Sequence, residues 1–160
     1  MIPRIYVDTT IPSAYHNSRT APEMVSQRDW TRRWWHSALQ SAELVTSMAM
    51  LEELRRGTSG HVAHRLELVA SLDLLDMDSR VYEIADTYIR RKLMPADPRG
   101  DALHLAVASY HKCDFLVTWN YLHLANANKF HHIRAINTQL GLFVPSLVTP
   151  PQLGGADEED

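Results

Sequence analysis

Short apolar runs recur along the chain between longer stretches of helical spacing, and this alternation limits the fold more than any other feature. Ile2 to Val7, Leu44-Val45-Thr46-Ser47, Leu72 to Met77, Cys113 to Thr118 and Leu147-Val148-Thr149 read as strands. Between them, Ala21 to Ser41 has helical periodicity, with Pro22 near its start and Trp30, Trp34 and Ala38 on one face. Met48 to Arg56 reads as a helix stopped by Gly57, and His61 to Ala70 as another. Asp78 is placed to cap a helix from Ser79 to Lys92. Asp97 as N-cap and Pro98 at the first helical position predict a further helix to about His111; a last one runs from Ala125 to Leu140 and ends at Gly141. Strands alternating with helices predict an α/β fold: a central, mainly parallel sheet of about four to five strands, with right-handed crossovers and helices on both faces.

The chain has 160 residues, 45% of them hydrophobic, enough for one domain over residues 1–150 with its own core. Residues 151–160 read as a flexible acidic tail, because Gly154-Gly155 precedes Asp157, Glu158, Glu159 and Asp160. The formal net charge is −3, but without those four acids 15 acidic residues face 16 basic ones. Such a body does not hold nucleic acid through overall charge, so that partner would need local patches or metal ions. One cysteine, Cys113, excludes an internal disulfide and fits a reducing compartment. The start Met1-Ile2-Pro3-Arg4 lacks a signal-peptide pattern, and no apolar run approaches the roughly 20 residues of a membrane span. The expected location is cytoplasmic.

In α/β sheets the carboxyl ends of the strands form the ligand crevice. The first strand ends on Asp8, in "RIYVDTTIPSAY", and the fourth on Thr118-Trp119-Asn120. Alone, Asp8 would read as a loop cap accepting backbone N–H groups. Further acids occupy comparable junctions: Glu52 and Glu53 in "TSMAMLEELRRG", on the helix after the second strand, and Asp101 in "GDALHLAVA", in the first turns of its helix. Carboxylates crowded at one rim repel one another, and ionising them together requires a cation; oxygen-only ligation favours Mg²⁺ or Mn²⁺ over zinc.

These pieces, "VDTT", "LEELRRG", "DALHLAVA" and "DFLVTWN", resemble in that order the motifs of the PIN domain, and within it the VapC-type ribonuclease toxins of toxin–antitoxin pairs. The resemblance runs from Ile5 to about Leu147. It implies a Mg²⁺- or Mn²⁺-dependent endoribonuclease with Asp8, Glu53 and Asp101 as metal ligands. It also implies an RNA substrate, a cognate antitoxin and a homodimer. At the position of the family's fourth acid stands Asn120, whose amide brings oxygen but no charge. Thr9 and Thr118 are candidates to hold water or phosphate, and Arg55 and Arg56 to meet RNA phosphates near Glu53. A PIN-like nuclease of RNA maturation without an antitoxin, and a non-catalytic binding module, are the alternative readings.

Other features have plainer explanations. His104, three residues after Asp101, reads as a hydrogen-bonded histidine at the core edge. Trp30, Trp34 and Trp35 read as core or a dimer surface rather than base-stacking platforms. Glu52 reads equally as a solvated acid or a support for the site. His61 with His64, and His131 with His132, do not make a zinc site when there is one Cys and no Cys-x-x-Cys. Arg32-Arg33 and Arg90-Arg91-Lys92 read as solvated faces. A HAD-like phosphatase would need a second Asp where Thr10 stands, and a dinucleotide-binding turn would need glycines that "DTTIPS" lacks.

Overall fold

The computed structural model describes residues 1–96 and 99–154. Five strands, β1 (Arg4–Val7), β2 (Glu43–Thr46), β3 (Asp73–Leu74), β4 (Phe115–Val117) and β5 (Ser146–Val148), form one sheet in the order β3-β2-β1-β4-β5. Every pairing is parallel, with Tyr6 of β1 opposite Val45 of β2 and Leu116 of β4. Side chains alternate across a strand, so β1 feeds both faces. Ile5 and Val7, with Leu44 and Val117, join a core completed by Ile11, Trp34, Trp35, Met50, Leu54 and Val69. Tyr6, Val45, Leu116 and Leu147 join the other, with Val81, Ile84, Tyr88, Leu105, Ile133 and Ile136. The first core is covered by α1 (Thr10–Tyr15), α2 (Pro22–Ser41), α3 (Met48–Arg56) and α4 (Val62–Val69). The second is covered by α5 (Ser79–Arg90), α6 (Gly100–Tyr110) and α7 (Phe130–Gln139), and a short α8 (Pro150–Leu153) lies against α2.

The parallel sheet with helices on both faces agrees with the sequence reading, and Asp78 caps α5 by accepting from the backbone N–H of Arg80 and Val81. Gly141 follows α7 at φ +69°, the left-handed conformation that ends a helix. Four details differ. Residues 151–153, read as the start of a flexible tail, belong to α8, whose N-terminal end Gln152 caps by accepting from the Thr149 N–H and whose Leu153 packs on the core beside α2. Residues 10–15, to which the sequence reading assigned no element, form α1, with Pro12 in its first turn, where no amide hydrogen is required. The helix expected from Ala125 begins only at Phe130, after a 3-10 turn over Ala127–Lys129 that Asn126 caps through its side chain. The third strand is limited to Asp73–Leu74, both exposed at the sheet edge. Asp97 and Pro98, read as the start of α6, and the acidic residues 155–160 lie outside the described residues. No helix among the described residues is long and apolar enough to cross a membrane.

Trp34 and Trp35 are core residues, 5% and 2% exposed, and Trp30 is half-buried with the Arg33 guanidinium over its ring. Burial pushes the Cys113 thiol up to about 12, so it is not a nucleophile at neutral pH. The chain builds outward from β1 through β2 to β3 on one side and from β4 to β5 on the other. The sheet therefore switches direction between β1 and β4, and the crevice there opens at Asp8 and at Thr118–Asn120.

Candidate functional site

Asp8 follows β1 directly and is only 2% exposed. Its Oδ1 accepts from the Thr10 amide (3.0 Å) and the Thr10 hydroxyl (2.5 Å), and its Oδ2 from the Thr118 hydroxyl (2.5 Å). Thr10 also accepts from the backbone N–H of Trp119, so the ends of β1 and β4 are tied together through Asp8. Burial pushes the Asp8 carboxyl up to about 6 even though His104 and the two threonines favour its charged form. Asp8 does cap its own loop, but a cap exposed to water would not titrate so high.

Glu53 stands on the buried edge of α3, and its Oε1 receives the Nε2–H of His104 at 2.6 Å. His104 lies one turn into α6, is 1% exposed and meets the Tyr6 hydroxyl through Nδ1 at 2.7 Å; that hydroxyl also meets Ser47 Oγ at 2.7 Å. Burial holds the Tyr6 phenol far above its ordinary value, so it stays protonated. Burial alone would raise the Glu53 carboxyl, but the hydrogen bond and charge of His104 outweigh it and hold Glu53 low. The reverse holds for His104: burial disfavours the imidazolium, yet Glu53, Asp8 and Asp101 together raise its proton affinity. The three acids are thus electrostatic neighbours of one buried imidazole.

Asp101, in the first turn of α6, is pushed up by burial, against the pull of His104 and His123 and with the added repulsion of Glu53. Its Oδ2 accepts from Asn120 Nδ2 at 3.1 Å. Asn120 Oδ1 meanwhile accepts from the backbone N–H of Leu122 and His123, so this amide shapes the turn after β4 with one end and faces Asp101 with the other. Gly100 lets α6 approach α3: a Cβ there would collide with the Glu53 carboxylate.

Asp8, Glu53, Asp101 and Asn120 therefore share one rim, linked by His104 and Thr118. Among the described residues they do not close into a group of three or more ligating side chains around one point. Thr9 lies beside His104, its hydroxyl 3.5 Å from Nε2, and lines a cleft with Glu53. Arg56 lines a second cleft with Glu53, whereas Arg55 is exposed on α3. The sequence missed the His104–Tyr6–Ser47 chain. Its one signal was the spacing of His104 from Asp101, and its partners lie 98 and 51 positions away in Tyr6 and Glu53.

No curated protein matches the chain. Among solved structures it is similar to FitAcB from Neisseria gonorrhoeae, with a TM-score of 0.56 and 16% identity over 91% of this chain and 97% of that one. That likeness is one of fold. The family model for the PIN domain matches residues 5–121, from the first residue of the buried β1 core to the turn beyond Asn120. The chain belongs to the PIN domain family.

Proposed function

We propose that this protein is a metal-dependent endoribonuclease of the VapC-like toxin kind, in which Asp8, Glu53 and Asp101 hold Mg²⁺ or Mn²⁺. The observation that carries the reading is that acids from β1, α3 and α6 meet around one buried imidazole at the point where the sheet switches direction. PIN domains are nucleases as a class, which supports a hydrolase acting on nucleic acid.

The donor set fits a hard divalent cation. It offers carboxylate and amide oxygens, and burial raises the Asp8 and Asp101 carboxyls, a cost that a bound cation would offset. When bound, such a cation supplies acidified water and neutralises charge on a phosphate. The chain's own residues do the rest. Thr10 and Thr118 fix the Asp8 carboxylate, His104 fixes Glu53, and the Asn120 amide steadies Asp101. Thr9, which lines the cleft beside Glu53, is the hydroxyl for water or phosphate, whereas Thr118 is buried and gives its hydroxyl to Asp8; Arg56, whose charge reaches Glu53, serves the RNA strand rather than Arg55. No covalent nucleophile is involved.

The family resemblance further supports a cytoplasmic homodimer silenced by an antitoxin segment that presents Arg or Lys to the acids. The test is cleavage of a short RNA with Mn²⁺ or with EDTA, by wild type and by Asp101→Asn. Cleavage that needs Mn²⁺ and is lost in the variant is expected. Binding of RNA without cleavage under any metal would identify a binding module instead.

A further inference from the structure

A cleft of about 540 Å³ opens between α1, the segment 16–21 that follows it, α2 and α4. Thr9, Thr10 and Glu53 belong to its lining, so it begins at the acidic site; Arg19, His61 and Arg65 belong to it as well. Arg65 and its neighbour Arg32 give their guanidinium N–H groups to backbone oxygens rather than to acids. Arg65 donates to the carbonyls of His16 (2.8 Å) and Ser13 (3.2 Å), and Arg32 to that of Tyr15 (3.0 Å). A carbonyl positions a guanidinium without neutralising it. Among the described residues, none of Arg19, Arg32 and Arg65 forms an ion pair. The resulting field is visible in His16, held below its ordinary value by burial and then by His64, Arg32, His61 and Arg65. Burial and the charge of Arg19 likewise lower Arg65.

The cleft on the α5 and α6 side of Glu53 is different. Its Arg99 is paired with Asp86 at 2.6 Å, and Glu52 stands beside Arg56 in the lining. Among the described residues, Arg56 is the one unpaired cation in that lining, whereas Arg19, His61 and Arg65 gather on the α1 and α4 side.

We propose that the cleft between α1 and α4 binds the phosphate backbone of the RNA strand beside the scissile bond, with Arg19, His61 and Arg65 as its donors. This assignment rests on the ribonuclease reading and adds to it where the strand lies. Trp119 also lines the cleft, but it is 9% exposed and its indole N–H is given to Thr31 Oγ1 at 2.8 Å. Recognition there is by charge and not by base stacking, so it is indifferent to sequence and sensitive to salt.

Arg65 is a poor probe, because it also holds the α1 segment in place. Arg19 and His61 are better: Arg19 is exposed, and among the described residues the His61 ring hydrogen-bonds to Ser18 Oγ alone, at 3.1 Å. The experiment measures binding of a labelled short single-stranded RNA by anisotropy in Mg²⁺, using full-length protein made inactive by Asp8→Asn. Arg19→Ala/His61→Ala in that background should weaken binding roughly tenfold for every sequence tried. The slope of binding against salt should fall by about one contact. Arg134→Ala, which removes a charge from α7, should do neither. In protein with Asp8 intact, the double variant should raise KM and leave kcat in place. Unchanged binding in the double variant, when wild type cuts RNA, would overturn the cleft and leave the nuclease reading standing. A wild type that binds and cuts no RNA would overturn both. Binding of polyglutamate in preference to RNA would also overturn the proposal, by giving the cleft to an acidic protein partner.

Discussion

At Asp8 the demands of folding and of chemistry oppose each other. An ordinary Asp titrates near pH ~3.9, whereas the folded protein holds Asp8 at about 6, chiefly through burial. The folded state therefore binds the proton more tightly than the unfolded chain does. Stability from this group is full below about pH 4, falls as pH rises to about 6, and is lower above by on the order of 3 kcal/mol. Asp8→Asn removes that cost and can keep the geometry, since an amide oxygen accepts from Thr10 and an amide N–H can donate to Thr118. The variant should melt at or above the wild-type temperature at pH 7, with its advantage shrinking as pH falls from about 6 to about 4. A variant that melts far lower at pH 7 would make Asp8 an indispensable structural cap. Asn120 presents the opposite case. Its N–H is given to Asp101, so Asn120→Asp would set two carboxylates 3.1 Å apart in place of a hydrogen bond. In EDTA the variant should melt below wild type, and Mn²⁺ should recover the difference by supplying the charge both acids lack. Equal melting in EDTA would show that the amide contact carries no weight.

Between elements, the contact that matters is α3 against α6. Gly100 brings the helices close enough for His104 to reach Glu53, and Gly100→Ala should force the Glu53 carboxylate off the imidazole. Alanine is the better helix former by about 1 kcal/mol, so the variant should stay folded with a melting temperature near wild type while cleavage drops sharply. Undiminished cleavage would mean that the position of Glu53 is not critical. This contact also shows what the sequence could convey. Apolar runs and caps are local signals, and from them the five strands, α2, α3 and the Asp78 cap were legible, whereas the order of strands in the sheet was not. Helix α1 was not legible because six residues are too short for helical spacing to show, and Pro12 is tolerated only because it falls in the first turn. The start of α7 was placed too early because a side-chain cap at Asn126 does not interrupt apolar spacing. Asp8, Glu53 and Asp101 were legible as acids at strand ends and helix starts. The His104–Tyr6–Ser47 chain was not, since it exists only once β1, α3 and α6 are folded together.

For the molecule as a whole, the proposed metal site would link three equilibria at the acidic rim: folding, protonation and metal binding. With Asp8 at about 6 and Asp101 also raised by burial, part of the rim is protonated in mildly acidic solution. A cation must displace those protons, so its apparent affinity falls as pH falls. Metal that binds the folded chain and not the unfolded one stabilises by about 2.7 kcal/mol at a hundredfold excess over Kd. At fixed Mn²⁺ the rise in melting temperature over EDTA should therefore be large at pH 7.5 and should shrink through pH 6 toward pH 5. Asp101→Asn, which removes one of the raised acids, should show a smaller rise with a weaker pH dependence. Calorimetry in buffers of different ionisation heat offers an independent reading, because Mn²⁺ uptake near pH 6 should release protons to the buffer. The wild-type result separates a metal site from a merely acidic surface. Loose screening of surface charge would follow ionic strength, and Na⁺ or Ca²⁺ at matched ionic strength would reproduce it without proton release. A melting shift that is the same at pH 5 and pH 7.5, or that matched NaCl reproduces, would remove the metal site and with it the reaction assigned to these acids.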